Sequence, residues 1–388
     1  MKKALKIVLI VFGSIGILIG ILFVTGNGYL PRGVYCTYLQ GKSKPDIDDQ
    51  SLFHTRKINH GDAINLPAKL NILSAENIQF LNSTESEAFL VFKNDTLVSE
   101  WYGSYGADSM HWNSFSMSKS VISLLIGCAL QDGKISSIQD PVSKYIPWNG
   151  KDVSLEQLLR MSSGIPFGES YNSPFGFMAK AYYGSDFKKI TSPYRVEATP
   201  GSNWSYEGGN TVLLGLVLEA ATQKRISNYF EEKIWSKIGA ASPAYWNLDS
   251  ENGFEKPFTG LYATAKDFGM LGQCILNHGK VNGEVVIDST FLAQSFEPWA
   301  IQDEKNTVCD WYGLHWWMGE VDGVKFKSAR GMRGQYIVVI PEKNMVVVRI
   351  GHQQSKERLN HMPVDLFAYI RMGLTLSSKL AQCDLPCN

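Results

Sequence analysis

The sequence predicts an α+β protein in which an antiparallel β-sheet is flanked by helices and carries a mainly helical inserted region. Two observations lead to this fold class: strand patterns occur towards both ends of the chain, and helical patterns dominate from about residue 153 to 280. Strands at both ends with helices between them indicate one sheet built from both termini. A third observation, an apolar run at residues 7–24, adds an N-terminal transmembrane helix.

The composition excludes several classes of protein. The chain has 388 residues, of which 44% are hydrophobic and 19% are charged, and this excludes a disordered or collagen-like chain. Its 37 basic and 37 acidic side chains balance, so there is no electrostatic case for a nucleic-acid partner. A chain of this length can bury a large hydrophobic core.

The N-terminal segment has the features of a membrane anchor. Residues 7–24 carry no charge and follow Lys2, Lys3 and Lys6. At about 1.5 Å per residue, a helix of this length just crosses the hydrocarbon core of a bilayer. Three lysines before the run, with Arg32 as the one cation soon after it, place the N-terminus inside and the body outside the cytoplasm.

A cleaved signal peptide is the alternative interpretation of this segment. The run is longer than the usual apolar region of about 7–15 residues, and no convincing small-x-small cleavage site follows it. We therefore predict a single-pass membrane protein whose body is periplasmic or extracellular, with secretion after cleavage as the alternative.

The strands and helices of the main body follow in order. After a polar, turn-rich stretch over residues 25–85, two strands at 88–92 and 97–102 flank Asn94-Asp95, which is a hairpin signal. Residues 116–130 are apolar nearly all round and predict a buried helix that ends at Asp132-Gly133. Further strands and a final helix are predicted at residues 324–328, 336–340, 345–350 and 364–372.

The cysteines give no metal site. Cys128 and Cys274 lie in apolar helical runs and are expected in the core. Cys383 and Cys387 close a short tail and could pair outside the cytosol. No Cys/His spacing matches a zinc site. The histidines show no partner pattern, and His315 and His352, among others, are interpreted as structural or solvated.

The clearest chemical signal is Ser116-Met-Ser-Lys119 at the start of the predicted buried helix. Residues three apart share a helix face, and the free N–H groups of the first turn favour developing negative charge. A buried, neutral lysine can take a proton from a serine. The alternative is a helix N-cap with a solvated lysine, and Ser185-Asp-Phe-Lys188 has the same spacing without an apolar helix after it.

Tyr206 is a candidate for a second proton carrier. It stands at the entry to a predicted helix, behind a Pro200-Gly201 turn. A half-buried core tyrosine is the alternative reading of this residue.

In these motifs the chain resembles the serine β-lactamase-like hydrolases, which include class C β-lactamases, D-alanyl-D-alanine carboxypeptidases, esterases and 6-aminohexanoate-dimer hydrolases. Ser116-x-x-Lys119 resembles the first motif of the family, and Tyr206-Glu207-Gly208 falls where the family has Tyr-x-Asn. Further stretches match in the family's order over about residues 85–375. They lie at residues 132–142, 158–164, 213–215, 260–267 and 312–317.

The sequence departs from the family's pattern in two of its motifs. Gly208 replaces the asparagine of the second motif, and the third motif, Lys/His-Thr/Ser-Gly in the family, reads Ala329-Arg330-Gly331. The stretch from Gly331 to Gln335 is closest to the 6-aminohexanoate-dimer hydrolase and esterase branches. A lysine or histidine in the third motif often helps to hold a β-lactam carboxylate, so its loss weighs against β-lactam or carboxypeptidase activity.

The resemblance implies a β-lactamase/transpeptidase-like fold and acyl transfer through a covalent intermediate on Ser116. Lys119 and Tyr206 would act as general base and acid, in an order left open, and the backbone N–H groups of Ser116 and Met332 would form the oxyanion hole. Neither a metal nor a cofactor is implied.

Three further residues are weaker candidates for the substrate site. Tyr171 resembles a substrate-side tyrosine of the 6-aminohexanoate-dimer hydrolases, with a surface-loop tyrosine as the alternative. Trp317 or its neighbour Trp316 could wall the pocket, with core packing as the alternative. Gly331 would lie beside the substrate through its place in the third motif.

The prediction is therefore a membrane-anchored serine hydrolase acting on a small-molecule ester or amide. We expect an anchor or signal at residues 1–28, an extension at 29–84, the hydrolase domain at 85–375 and a tail at 376–388. One alternative is a penicillin-recognising D,D-carboxypeptidase or β-lactamase, and the other is a non-catalytic, membrane-anchored binding module with the same fold.

Overall fold

The structure is a computed structural model that describes residues 2–383, with side chains described as far as residue 377. Its α-helices are α1 (Lys2–Val24), α2 (Tyr29–Cys36), α3 (Ala75–Ser83), α4 (Met117–Gln131), α5 (Leu155–Leu159), α6 (Phe177–Tyr183), α7 (Phe187–Thr191), α8 (Gly208–Thr222), α9 (Ile226–Phe230), α10 (Ala265–Leu276), α11 (Ser289–Ser295) and α12 (Val364–Cys383).

The strands form two principal antiparallel sheets and two short hairpins. They are β1 (Thr55–Ile58), β2 (Ser86–Lys93), β3 (Thr96–Tyr102), β4 (Trp112–Asn113), β5 (Ala244–Asn247), β6 (Leu261–Ala263), β7 (Lys280–Val281), β8 (Glu284–Val285), β9 (Trp317–Val321), β10 (Val324–Gly331), β11 (Gln335–Ile340), β12 (Met345–Gly351), β13 (Arg358–Leu359) and β14 (Met362–Pro363).

The main sheet has six strands in the order β3-β2-β12-β11-β10-β9. It joins two strands from the first third of the chain to four from the last, which confirms the prediction of one sheet built from both termini. The β2–β3 hairpin is also confirmed. Its turn residues Asn94 and Asp95 have φ values of 49° and 54°, and a two-residue type I′ turn requires positive φ at both of these positions.

A second sheet, in the order β1-β5-β6-β4, takes two of its strands, β5 and β6, from the region that was expected to be mainly helical. All residues of β6 are buried, and three of the four in β5 are buried. Strands this short and this buried do not alternate between apolar and polar residues, so the period-2 pattern that reveals a strand is missing. The mainly helical region therefore contributes two strands that the sequence did not indicate.

Helix α4 is the buried helix expected from its all-round apolar sequence, and every residue from Met117 to Ala129 is buried. It packs against α8 and contacts β10 and β11 of the main sheet. Helix α10 covers one face of the main sheet at β11 and β12. The turn before α4 lies against the end of β10, because the carbonyl oxygen of Ser114 is close to Gly331.

The N-terminal helix α1 has no buried residue. Among the described residues it is the one helix long and apolar enough to cross a membrane, and its length and composition fit a membrane anchor or a signal sequence. Helix α2 begins five residues after α1 ends and packs against α6.

The described cysteines are free thiols in the interior. Burial raises the pKa of Cys128 and of Cys274 to about 12, which agrees with their expected place in the core. Cys36 and Cys309 are also buried and unpaired. The pairing considered for Cys383 and Cys387 lies outside the residues whose side chains the structure describes.

Candidate active site

Ser116 stands at the N-cap of α4 on a tightly fixed turn. Phe115, just before it, has a φ of +45°, a backbone conformation that bulky side chains rarely adopt. Buried Asn113 holds the turn, because its Oδ1 accepts hydrogen bonds from the amide of Phe115 at 2.8 Å and from that of Gly260 at 3.2 Å. Backbone in such a conformation persists only where its surroundings enforce it, and it is typical of functional sites.

Lys119 lies one helical turn further along and points back at the serine. Its Nζ donates to Ser116 Oγ at 2.9 Å and lies 3.5 Å from the carbonyl oxygen of Phe258. The residue is 1% exposed, and among the described residues no carboxylate forms an ion pair with it. The alternative of a solvated lysine therefore does not describe this side chain.

The ring of Tyr206 completes the group. Lys119 Nζ lies 4.8 Å from the centroid of this ring. The ring also packs against those of Trp317 and Tyr312, with centroid distances of 5.5 Å and 6.3 Å. The structure thus brings together the serine, the lysine and the tyrosine that the sequence singled out.

The end of β10 approaches the turn that carries Ser116. A Cβ atom on Gly331 would lie 2.1 Å from the carbonyl oxygen of Ser114, so only glycine allows this approach. Ser116 and Met332 line the same two cavities. The two residues whose backbone N–H groups are expected to form an oxyanion hole therefore border one site.

Tyr171 and Trp317 both border the site, in different ways. Tyr171 is 49% exposed and donates a hydrogen bond to the carboxylate of Glu169. Burial of its hydroxyl, together with the charge of Glu169, holds the pKa of Tyr171 well above its usual value. Trp317 is largely buried but lines a cavity that Ser116 also lines, whereas Trp316 packs against Phe296 in the core.

Arg330 also lines the site, although the sequence predicted no role for it. Its guanidinium carbon lies 4.0 Å from the centroid of the Trp317 ring, and its Nη2 donates to the carbonyl oxygen of His361 at 3.2 Å. Its Nε and Nη1 are buried without a hydrogen-bond partner. Burial lowers the pKa of Arg330 to about 10. In the sequence, Arg330 is recognisable as a cation within the third motif, one position later than the lysine or histidine of the family.

Arg333, the other cation of this stretch, is fully engaged in structural contacts. Its Nε donates to the carbonyl oxygen of Pro45 and its Nη1 to that of His352. Its Nη2 lies 3.5 Å from the carboxylate of Asp46. Arg330 is therefore the arginine of this pair with donor groups left for a ligand.

Two glutamates, Glu169 and Glu207, line the same cavity as Ser116 and Arg330. Burial, and then the charge of Glu169, raises the pKa of Glu207 to about 7. Glu169 accepts a hydrogen bond from the amide of Gly208 at 2.5 Å. A Cβ atom on Gly208 would lie 3.0 Å from this carboxylate, so Glu169 fills the space into which an asparagine at 208 would project. The close contact fits a glycine at the end of the second motif.

His315 lies close to Lys119 but has no free ring nitrogen. Its Nδ1 is 2.8 Å from the carbonyl oxygen of Leu159, and its Nε2 is 3.0 Å from Oγ1 of Thr211. Burial, and then the charge of Lys119, lowers the pKa of His315 to about 3. This histidine is therefore structural, as the sequence analysis expected, and Lys119 is the base candidate in contact with Ser116.

Two cavities meet at Ser116. One, of about 1060 Å³, is bordered by charged and aromatic side chains, among them Glu169, Glu207 and Arg330. We call it the polar groove. The other, of about 290 Å³, has mostly apolar walls formed by α2, α6 and the segment before α6. We call it the apolar cavity.

The second copy of the serine–lysine spacing lies elsewhere. Ser185 and Lys188 are both exposed, and the carboxylate of Asp186 caps the short helix α7 there. No catalytic arrangement surrounds them.

Comparison with known proteins confirms the family that the sequence motifs resemble. Residues 82–365 match the family model described as Beta-lactamase. A curated relative, the 6-aminohexanoate-dimer hydrolase of Paenarthrobacter ureafaciens, is 25% identical over 301 residues, which are 70% of this chain and 74% of that protein.

Solved structures share the fold. The structure titled "Putative 6-aminohexanoate-dimer hydrolase from Bacillus anthracis" has a TM-score of 0.72 at 22% identity and covers 92% of this chain and 95% of its own. The penicillin binding protein from Bacillus halodurans has a TM-score of 0.60 at 18% identity, with 76% and 98% covered. These structures support the predicted β-lactamase/transpeptidase-like fold.

Proposed function

The chain belongs to the β-lactamase family and is a serine hydrolase, and on that premise we propose that it cleaves a small ester or amide through an acyl-enzyme on Ser116. The observation that carries this proposal is the 2.9 Å contact between Ser116 Oγ and the Nζ of a buried lysine that has no carboxylate partner among the described residues. We further propose that α1 anchors the protein in a membrane, with the hydrolase domain outside the cytoplasm.

The proposed reaction has two halves. Ser116 Oγ attacks the carbonyl carbon of the substrate while Lys119, with Tyr206, takes the serine proton and later delivers one to the leaving group. The backbone N–H groups of Ser116 and Met332 would stabilise the oxyanion, and one such donor contributes about 3–4 kcal/mol in comparable sites. Water then releases the acyl group by the reverse sequence of proton transfers.

A fluorophosphonate probe tests this proposal, because it reacts with activated serines. We expect the full-length protein to be labelled on the peptide that contains Ser116, as read by mass spectrometry, and the Ser116→Ala variant to remain unlabelled. Absence of labelling in both proteins would overturn the proposal and favour a non-catalytic binding module.

A second candidate function, D,D-carboxypeptidase or β-lactamase activity, is favoured by one observation. Arg330 offers two buried N–H-bearing nitrogens without partners, and it borders the polar groove together with Ser116. A guanidinium in this state fits a carboxylate, which β-lactams and D,D-peptides carry. Acylation of Ser116 by a labelled penicillin would support this function.

Arg330→Met tests whether the groove recognises a carboxylate. We expect kcat/KM for an ester with a free carboxylate on its leaving group to fall roughly 10- to 100-fold, since hydrogen bonds to charged groups contribute about 1.5–3 kcal/mol. A neutral ester of equal length should change less than about threefold. Lys356→Met is the matched control, because Lys356 is an exposed cation of the same groove and its charge is screened by solvent. Equal losses on both esters would contradict carboxylate recognition.

A further inference from the structure

The apolar cavity beside Ser116 has an unusual origin in the chain. One of its walls comes from α2, which follows the N-terminal apolar helix, and another comes from α6. Its wall residues on these two helices include Leu30, Gly33, Val34, Met178, Ala179 and Tyr182. The segment just after α1 is therefore part of the site at which the proposed chemistry occurs.

The cavity reaches the reacting groups. Ser116, which bears the nucleophile, and Met332, a proposed oxyanion donor, both line it. A substrate whose carbonyl carbon lies at Ser116 Oγ can therefore extend one of its groups into the cavity.

The lining chemistry of the cavity contrasts with that of the polar groove. None of the described residues that line it is acidic, and Lys44 is its one cation. The groove carries Glu169, Glu207 and Arg330. Because leaving group and attacking water must exchange with solvent, the larger polar groove suits them, and the apolar cavity suits an acyl chain.

The outer surface near this cavity is also apolar. Val34, Tyr35, Tyr38 and Leu39, on and just after α2, are 46–70% exposed, and Phe175, just before α6, is 67% exposed. Large apolar side chains grouped in this way mark a binding surface.

The position of α1 indicates what this surface contacts. Four residues separate Val24, the end of α1, from Tyr29, the start of α2. A Cβ atom on Gly28 would lie 2.6 Å from the ring of Phe23, so the end of α1 touches the start of α2. An apolar surface joined in this way to an exposed apolar helix of 23 residues fits a bilayer surface.

We propose that the apolar cavity is an acyl-chain pocket and that the substrate is a membrane-resident ester or amide with one unbranched aliphatic chain in this pocket. The inference rests on the proposed function of Ser116. In the first step the bond from Ser116 Oγ to the acyl carbon forms, and the bond from that carbon to the leaving oxygen or nitrogen breaks, with the serine proton passing to the leaving group. Water then cleaves the new ester and releases a fatty acid.

A chain-length series of p-nitrophenyl esters tests the pocket. For the wild type we expect kcat/KM to rise from acetyl to decanoyl by up to roughly fourfold per methylene until the pocket is full. Ala179→Phe, which fills the pocket, should lower kcat/KM for the decanoyl ester at least tenfold and that for the acetyl ester less than threefold. Ala220→Phe is the matched control and should keep the wild-type preference for chain length. Ala220 lies on α8 and lines a different cavity, which Ser116 does not line.

A vesicle assay tests the membrane source, with a decanoyl ester either dissolved as monomers or embedded in phosphatidylcholine vesicles. The double variant Tyr35→Glu, Leu39→Glu should hydrolyse the embedded ester at least tenfold more slowly than the wild type and the dissolved ester at the wild-type rate. Ile72→Glu with Tyr105→Glu, at two other exposed apolar positions, is the control and should change neither rate. Equal rates of the two double variants on vesicles would overturn the membrane source.

The two proposals fail in different ways. If the wild type hydrolyses the acetyl ester but shows no preference for longer chains, or if Ala179→Phe lowers both rates equally, the acyl-chain pocket is wrong and the serine hydrolase stands. If no ester is hydrolysed and the fluorophosphonate does not react, the proposed function itself is wrong.

Discussion

Replacing Ser116 with alanine should lower kcat/KM for a p-nitrophenyl ester by on the order of 10⁴-fold or more, because a catalytic unit that loses its nucleophile keeps only binding and oxyanion stabilisation. The fold should not suffer. The Ser116 side chain makes no capping hydrogen bond to α4, and Lys119 Nζ keeps its 3.5 Å contact with the carbonyl oxygen of Phe258. The measurement is steady-state ester hydrolysis beside a thermal melt.

The chain supplies its own control for this experiment. Ser185 has a lysine three residues later, as Ser116 has, but it is exposed and lies outside the site. Ser185→Ala should therefore hydrolyse the ester at the wild-type rate. A Ser116→Ala variant that keeps more than about one tenth of the wild-type activity, with Ser185→Ala unchanged, would show that the nucleophile has been misassigned.

Local patterns were enough to predict the β2–β3 hairpin and helix α4. The hairpin at Asn94-Asp95 needs positive φ at two consecutive residues, which these residue types accept, and α4 is apolar on all sides because it is buried on all sides. Such features depend on neighbours in sequence, so the sequence reveals them.

Contacts between distant segments were not predictable in the same way. Glu169 occupies the space beside Gly208, and the two residues are 39 positions apart. Nothing local to either residue indicates this contact, which lies where the sequence departs from the second motif. The buried nitrogens of Arg330 were equally hidden, because their lack of partners depends on how Trp317 and His361 pack around the guanidinium.

Helix α2, in the segment after α1, is the clearest example of a contact that the sequence does not reveal. Residues 25–85 are polar and turn-rich, and no periodic pattern marks α2 as part of a site. Its role as a wall beside Ser116 follows from packing against α6, a helix that begins more than 140 residues after α2. Sequence patterns predict which surfaces of an element are buried, whereas the partner that buries them is a property of the whole fold.

Replacing Lys119 with methionine should separate activity from stability more sharply than any other change. We expect acylation, measured as the rate of fluorophosphonate labelling and as the burst of p-nitrophenol, to fall by about 10²- to 10⁴-fold, the usual contribution of a positioned proton acceptor. Methionine has a similar length and shape, and it replaces a buried amine that has no carboxylate partner among the described residues, so the melting temperature should stay the same or rise.

Lys188→Met is the matched control for this lysine, since Lys188 is exposed on α7 and follows a serine at the same spacing. It should change neither acylation nor melting temperature. A merely structural lysine would give the opposite pattern from the one expected for Lys119, with a lower melting temperature and a nearly normal rate in the protein that remains folded. If Lys119→Met acylates within tenfold of the wild type, the proton of Ser116 leaves by another route, and Tyr206, whose ring centroid lies 4.8 Å from Lys119 Nζ, becomes the next candidate for its acceptor.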